Sequence, residues 1–258
     1  MNATGLITEY NPFHNGHLYH LNQAKSIDPD AVIIVLMSGN WVQRGTPAIV
    51  DKWQRADIAL RSGADLVFEL PFYFAVQPGD IFAQGAIRLL NDLSINRLVF
   101  GSEHPNTDFI ELAEQSVLLD GDESFTNKNA TYASNFANAL QKETGFKLDQ
   151  ANDILAFSYA KAIYQQKLMD KIEIKPIKRI SSDYHQSYID TDSKISSATA
   201  IRRALSEGKD VSNLTPMHDL EYTDYEKKYF DLLKYRLITD NIGQIRSVYQ
   251  VNEGIDFY

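Results

Sequence analysis

Residues 31–37, Ala-Val-Ile-Ile-Val-Leu-Met, form a near-continuous apolar run without polar alternation. A half-solvated strand would alternate, so this run reads as a central parallel strand covered on both faces. Ser38-Gly39-Asn40 ends it. Parallel neighbours need crossover connections, usually helices. The rest of the chain supplies both. Strand-like segments fall at residues 3–8, 64–70, 97–100 and 171–180. Helix-like spacing is found over residues 18–26, 51–61, 80–93, 108–119, 127–143, 152–167 and 196–207, the last stopped by Gly208. Such β-α-β-α order predicts an α/β fold, a doubly wound, Rossmann-like parallel sheet. From about residue 215 the pattern becomes helical, with Tyr222, Tyr225, Tyr229, Phe230, Leu232 and Leu233. The expected division is a main domain over residues 1–210 and a smaller helical C-terminal region over 211–258. That region reads as the opening part of an incomplete unit.

With 258 residues and 44% apolar content, the chain can bury a sizeable core. It has no run of eighteen apolar residues, so no membrane helix is expected. The first residues lack a charged leader and read as the first strand, not a signal peptide. The absence of cysteine excludes a disulfide framework and fits the expected cytoplasmic location. A net charge of -9 argues against a general nucleic-acid coat. The charges are uneven: residues 101–127 hold seven acids and no Lys or Arg. Lys171, Lys175, Lys178, Arg179, Lys194, Arg202, Arg203 and Lys209 form a basic excess, where any nucleic acid would bind.

The turn after the first strand carries the chemistry. Ile7-Thr8-Glu9-Tyr10-Asn11-Pro12-Phe13-His14-Asn15-Gly16-His17-Leu18-Tyr19-His20 runs from strand to turn to helix, with His17 opening the helix. Backbone N–H groups and a helix dipole at such a junction suit phosphate. His14 and His17 can donate hydrogen bonds to oxygens that gain charge during nucleotidyl transfer. Zinc is not expected, because only His20 lies near at a ligand spacing. The turn after residue 37 and Gly101-Ser102 lie at the same sheet edge, where doubly wound folds bind ligands.

A second constellation is Lys194-Ile195-Ser196-Ser197-Ala198-Thr199-Ala200-Ile201-Arg202-Arg203. Ser196 or Ser197 can cap the helix, and the cap with its amides can hold an anion. Arg202, further into the helix, carries a planar fork suited to phosphate oxygens.

At these two motifs the chain resembles the HIGH-type nucleotidyltransferase superfamily. His14-Asn15-Gly16-His17 matches its His-x-Gly-His turn. Residues 195–202 match its Ile-Ser-Ser-Thr-x-Ile-Arg element, with Ala198 inserted. Residues 9–17, Met37-Ser38-Gly39-Asn40-Trp41-Val42-Gln43-Arg44-Gly45, Phe100-Gly101-Ser102-Glu103 and Asn152-Asp153-Ile154-Leu155-Ala156 together are similar to the tRNA(Met) cytidine acetate ligase family. Ala151 departs from the family's proline, and residues 181–186 from its usual Gly-Ala and Asp.

The resemblance implies an ATP-dependent, adenylate-forming ligase. It would activate acetate as acetyl-adenylate and acetylate N4 of the wobble cytidine of elongator tRNA(Met). By the same resemblance, Ile7 to His20, Gly101, Asn152 and Arg179 would bind ATP. The charge that develops in the reaction gives His14 and His17 the catalytic role and Ser196 and Arg202 the outer phosphate oxygens. Mg²⁺ is expected as a bridge between phosphates. No base is needed for the first step, since acetate is ionised at neutral pH. The oligomeric state is left open. Two other readings stand beside this one. One is an adenylyltransferase acting on a small phosphorylated coenzyme precursor; the other is a nucleotide- or RNA-binding module without turnover.

Other residues carry lesser expectations. Trp53 falls on an apolar helix face and is expected in the core. Trp41 and Tyr184 are candidate stacking platforms for a splayed base. Gln43, Arg44 and Lys52 follow the second strand, with Gly45 as a hinge. His185 lies beside the Arg179 loop, His104 stands alone, and His218 reads as surface.

Overall fold

The computed structural model describes residues 1–117, 119, 132–180, 194–218 and 220–251. The helical reading of residues 127–131, the stacking candidate Tyr184, His185 and the residues after Arg179 that depart from the family lie outside these. Contacts divide the chain into two compact units, Met1–Glu221 and Tyr222–Tyr258.

The first unit runs β1 (Ala3–Thr8), α1 (Asn15–Ile27), β2 (Val32–Ser38), α2 (Lys52–Arg61), β3 (Leu66–Leu70), α3 (Phe72–Ala75), α4 (Gly79–Asp92) and β4 (Arg97–Ser102). It continues with α5 (Phe109–Val117), α6 (Tyr132–Thr144), α7 (Ala151–Gln165), β5 (Glu173–Lys178) and α8 (Ala198–Ser206). The five strands form one sheet in the order β3-β2-β1-β4-β5, every pair parallel. From β1 the chain steps outward to β2 and β3, then returns to place β4 on the other side of β1. The order therefore switches between β1 and β4, which opens a crevice beyond their carboxyl ends.

Both sheet faces are covered, as the apolar run of β2 requires. Ile34, Leu36, Leu98 and Phe100 face a cluster with Ile87 and Leu90 of α4 and Ala156 and Ala160 of α7. Leu6, Ile33, Val35, Met37 and Val99 face the opposite way, against Leu21 and Ala24 of α1 and Ala59 of α2. Each fully buried Leu or Ile contributes about 1.5–3 kcal/mol.

Two local differences from the sequence reading have clear causes. Helix α1 begins at Asn15, because the His14 imidazole caps it by accepting the Gly16 N–H; His17 is already inside. Trp53 is 73% exposed, with Lys52 Nζ lying 5.2 Å from its ring centroid. The residues that α2 buries completely are Arg55 and Ala59. Helical spacing placed Trp53 on the apolar face, but the buried face of α2 is chosen by Arg55's hydrogen bonds, described below.

The first unit runs past residue 210. Val211 and Leu214 pack with Ile201 and Ala204 of α8, and the Thr215 hydroxyl donates to the Phe13 carbonyl at 2.6 Å. In the second unit, α9 (Tyr225–Thr239) is capped by Asp224, and α10 (Ile242–Arg246) by an Asn241–Gln244 capping box. Among the described residues, no helix is long and apolar enough to cross a membrane.

Candidate functional site

The turn after β1 is folded by its own side chains. Tyr10 takes a left-handed φ of 52° and is fully buried. Its ring packs edge-on against Phe13 at 4.7 Å and His17 at 4.9 Å. The turn thus rests on an aromatic floor, and Tyr10 and Phe13 support the site from beneath.

The two histidines are tied to the first turn of α1. His14 Nδ1 accepts from Gly16 N at 3.0 Å, and His17 Nδ1 accepts from His14 N at 3.3 Å. This is a capping box built from two imidazoles. Their rings stack at 3.7 Å with 28° between planes. A Cβ on Gly16 would stand 2.8 Å from His14 Cε1, so only glycine lets the ring lie over the helix start. With each Nδ1 used as an acceptor, the proton of each neutral ring sits on Nε2. His20 holds its own tautomer, with Nε2 donating to the Val99 carbonyl at 3.2 Å.

All three rings are neutral. Burial pushes His14 down to about 3, helped by the charges of Arg179 and Arg202. Burial holds His17 well below the ordinary value, with His14, His20 and Arg179 adding to it and a hydrogen bond to the Pro12 carbonyl opposing. His20 is pushed to about 4, again first by burial. These shifts have a consequence for stability. Below pH 6.5 the unfolded chain takes up protons that the folded rings refuse until about pH 4 for His20 and about pH 3 for His14. Stability should therefore fall with falling pH in that window, by up to about 1.4 kcal/mol per pH unit for each histidine. Urea melts across the window check this, and His20→Gln should remove one histidine's share of the slope. A flat profile would mean that the rings titrate normally.

The second motif meets the first directly. Asn15 Nδ2 donates to the Lys194 carbonyl at 2.8 Å and the Asn213 carbonyl at 2.9 Å. Ser197 caps α8, its Oγ accepting from Ala200 N at 3.1 Å. Arg202 Nη1 donates to the Asn11 carbonyl at 2.7 Å and Nη2 to Thr199 Oγ1 at 3.1 Å. The Arg202 fork is thus turned onto the back of the first turn, and its charge reaches His14.

Behind the turn, Arg55 joins the ends of two strands. Its Nη1 donates to the Glu9 carbonyl at 2.6 Å and the Ser38 carbonyl at 3.1 Å. Nη2 donates to the Gly39 carbonyl and Nε to the Val50 carbonyl at 2.9 Å. Glu9 Oε1 in turn accepts from Gln43 N at 2.8 Å, fixing the loop after β2.

On the β4 side, Asp153 is fully buried at the start of α7 and accepts from Ser102 Oγ at 2.6 Å and Glu103 N at 3.0 Å. His104 Nδ1 bonds its other oxygen at 2.6 Å. The net result holds the Asp153 carboxyl below its ordinary value: burial opposes, and the Ser102 and His104 bonds prevail. Asn152 Nδ2 donates to Glu103 Oε1 at 2.6 Å. Arg179 N donates to the Ser102 carbonyl at 3.1 Å, and a Cβ on Gly101 would come within 2.9 Å of Arg179 Cγ. Gly101 is therefore the bed on which the Arg179 side chain lies.

These parts enclose a cavity of about 490 Å³ at the switch point. Of the expected site residues, Ile7, Thr8, Glu9, His14, Gly16, His17, Tyr19, His20, Gly101, Asn152, Arg179 and Ser196 line it. Tyr10, Asn11, Pro12, Phe13, Asn15, Leu18 and Arg202 are outside the lining and form the frame around the turn. Lys178, Tyr159, Phe100 and Phe82 line it too and were missed as site residues. Lys178 and Phe100 could have been found from their position at strand carboxyl ends; Phe82 and Tyr159 sit inside apolar helix faces and carry no local signal. His104 does not stand alone: it is Asp153's partner. Trp41 is half-buried, edge-on to Phe72 at 6.3 Å.

The arrangement offers what phosphoryl chemistry needs: two helix N-termini, fixed neutral imidazoles, and, among the described residues, the cations Arg44, Lys178 and Arg179 against one lining acid, Glu9. Among the described residues, no group of three His, Asp or Glu side chains could hold a metal ion.

Known proteins fit this geometry. The family model for HIGH Nucleotidyl Transferase matches residues 1–257. The tRNA(Met) cytidine acetate ligase of Oenococcus oeni is 62% identical over 100% of this chain and 68% of its own length. That of Leuconostoc citreum is 49% identical over 99% of this chain and 66% of its own length. A crystal structure of apo Thermotoga maritima TmcAL matches with a TM-score of 0.85 and 31% identity, over 100% of this chain and 66% of that one. A form of the same protein bound with alpha-thio ATP matches with a TM-score of 0.80. The chain thus spans about two thirds of the length of these relatives. It belongs to the HIGH nucleotidyl transferase family and, within it, to the tRNA(Met) cytidine acetate ligases.

Proposed function

We propose that this chain uses ATP to activate acetate and passes the acetyl group to N4 of the wobble cytidine of elongator tRNA(Met), in the cytoplasm. The observation that carries the reading is the meeting of the two motifs at the switch point, with a cavity between them and α-thio ATP bound by a structural relative. An acetate oxygen attacks the α-phosphorus, and pyrophosphate leaves. The cytidine amine then attacks the acetyl carbon of the mixed anhydride, AMP leaves, and the nitrogen gives up a proton.

His14 and His17 donate through Nε2 to oxygens of the α-phosphate, where charge gathers. His17 first exchanges its Pro12 carbonyl bond for a phosphate oxygen. The N-terminus of α8 at Ser196 and Ser197 holds the outer phosphates, with Arg179 and Lys178 as counter-charge. Arg202 positions the turn through Asn11. Asn152 offers its Oδ1, since its amide is taken by Glu103. The described residues do not build a cage for Mg²⁺: the cavity's one acid is Glu9. Magnesium would arrive with the phosphates, and none of these steps depends on a protein-held ion.

The test is incubation with ATP and labelled acetate, with and without tRNA. Acetate-dependent pyrophosphate exchange and acetylated cytidine are expected. A dinucleotide product formed with a phosphorylated precursor, or ATP binding without exchange, would overturn the reading. The Arg179 bed gives a sharper prediction. Gly101→Ala should push that side chain off its seat and lower kcat/KM for ATP by about ten- to a hundredfold. Melting temperature should stay close to that of the unaltered protein. Unchanged ATP kinetics would take Arg179 out of the site.

A further inference from the structure

The nucleotide half of the cavity is bounded by β1, β5 and α8, but the lining continues past them to Gly79, Phe82, Leu155 and Tyr159. This far end is apolar in its floor: Phe82 and Phe100 are 3% and 5% exposed. Three polar features stand over it. Helix α4 begins there at Gly79, with Pro78 as its cap residue and no side-chain cap on its free N–H groups. Gln43 Nε2 lies 3.6 Å from where a Cβ on Gly79 would be. Tyr159, 5% exposed, lines the cavity and has no hydrogen bond to its hydroxyl among the described residues. Asp80, also in the first turn of α4, is exposed and outside the lining.

We infer that this end is the acid subsite: Tyr159, Gln43 and the start of α4 take the carboxylate, and Phe82, Phe100 and Leu155 take its methyl group. The inference rests on the acetate-activating reading and gives it a location. Donors without an internal partner suit an anion, and an apolar floor suits a short alkyl group. Burial and the charge of Glu9 raise the Tyr159 phenol above its ordinary range, so it stays a donor. Among the described residues the Glu9 carboxylate is the one acid in the lining. Its Oε1 accepts from the Gln43 backbone N–H, which leaves the side-chain Nε2 for the acid, and Arg44 lines the cavity as counter-charge. The floor also sets a size limit. A methyl on Gly79 would meet Gln43, Ser158 and Leu155 at 3.6–3.8 Å, ordinary contact distances, and would occupy part of the acid's space without straining the fold.

The probe is ¹³C-methyl acetate, observed by saturation-transfer NMR with the protein and a non-hydrolysable ATP analogue, so that binding is read apart from turnover. Transfer to the acetate methyl is expected. Tyr159→Phe should weaken acetate binding about tenfold, the scale for losing one bond to a charged group, with analogue binding unchanged. Gly79→Ala should weaken acetate more than formate. No transfer to acetate in the unaltered protein, or equal acetate binding in all three proteins, would overturn the assignment. Weakened analogue binding in Tyr159→Phe would overturn it too, by giving this end to the nucleotide. Pyrophosphate exchange on the same samples reports the acetate-activating reading separately: binding without exchange would end that reading and leave the acid site standing.

Discussion

His17→Ala is expected to slow acetyl-adenylate formation about 10²–10³-fold, the usual cost of losing one preorganised transition-state donor. The ring does two things at once. Its Nδ1 accepts the His14 N–H at 3.3 Å, and its face stacks on His14 at 3.7 Å. Its Nε2–H is the donor that can reach substrate. Removing it therefore takes away one donor and loosens the other. His17→Asn separates the effects, because an amide oxygen can still accept the His14 N–H at the third helical position but does not reproduce the imidazole donor. Single-turnover formation of labelled adenylate measures both variants. A loss in His17→Ala that His17→Asn largely restores would make His17 a positioning residue. A full rate in His17→Ala would remove the imidazole from the mechanism.

Arg55→Met is expected to destabilise the fold strongly, by about 3–5 kcal/mol. Arg55 is fully buried, and its guanidinium satisfies the carbonyls of Glu9, Ser38, Gly39 and Val50. Among the described residues no carboxylate pairs with it; desolvation lowers it to about 10, while the charges of Glu9, Asp51 and Glu69 work the other way. It stays charged at neutral pH. Methionine fills a similar volume but leaves those carbonyls without donors inside the protein. Two of them belong to the ends of β1 and β2, so the wall that carries Glu9 and Gln43 should loosen as well. Denaturant unfolding gives the stability change, and acetate kinetics in the remaining folded protein should show a raised KM. A variant within about 1 kcal/mol of the parent would mean that water replaces the guanidinium at these carbonyls.

Much was legible in the sequence because it was written in local pattern. The apolar run 31–37 specified a strand covered on both faces, and it occupies β2, next to the central β1. The turn from Ile7 to His20 and the cap at Ser196-Ser197 were legible because helix starts and phosphate-binding turns have short-range chemistry. Strand boundaries shifted by one or two residues, as β3 beginning at Leu66 instead of residue 64 illustrates, because pairing and not propensity ends a strand. Trp53 went wrong for the same kind of reason. Helical periodicity tells which residues share a face, and tertiary hydrogen bonding decided which face is buried.

By itself, then, the sequence determined a parallel α/β sheet, a His-x-Gly-His turn after its first strand and a capped helix late in the domain. Those features depend on residues a few positions apart. Only the tertiary structure decided that Arg202 braces the first turn, that Gly101 seats Arg179, and that Tyr159 and Phe82 share a cavity with His14. The partners in each of these arrangements lie on separate segments, brought together by the strand order and the packing of α4, α7 and α8 against the sheet and its first turn. The distance between two side chains across a sheet edge is set by crossovers and burial, and no local pattern in the chain encodes it.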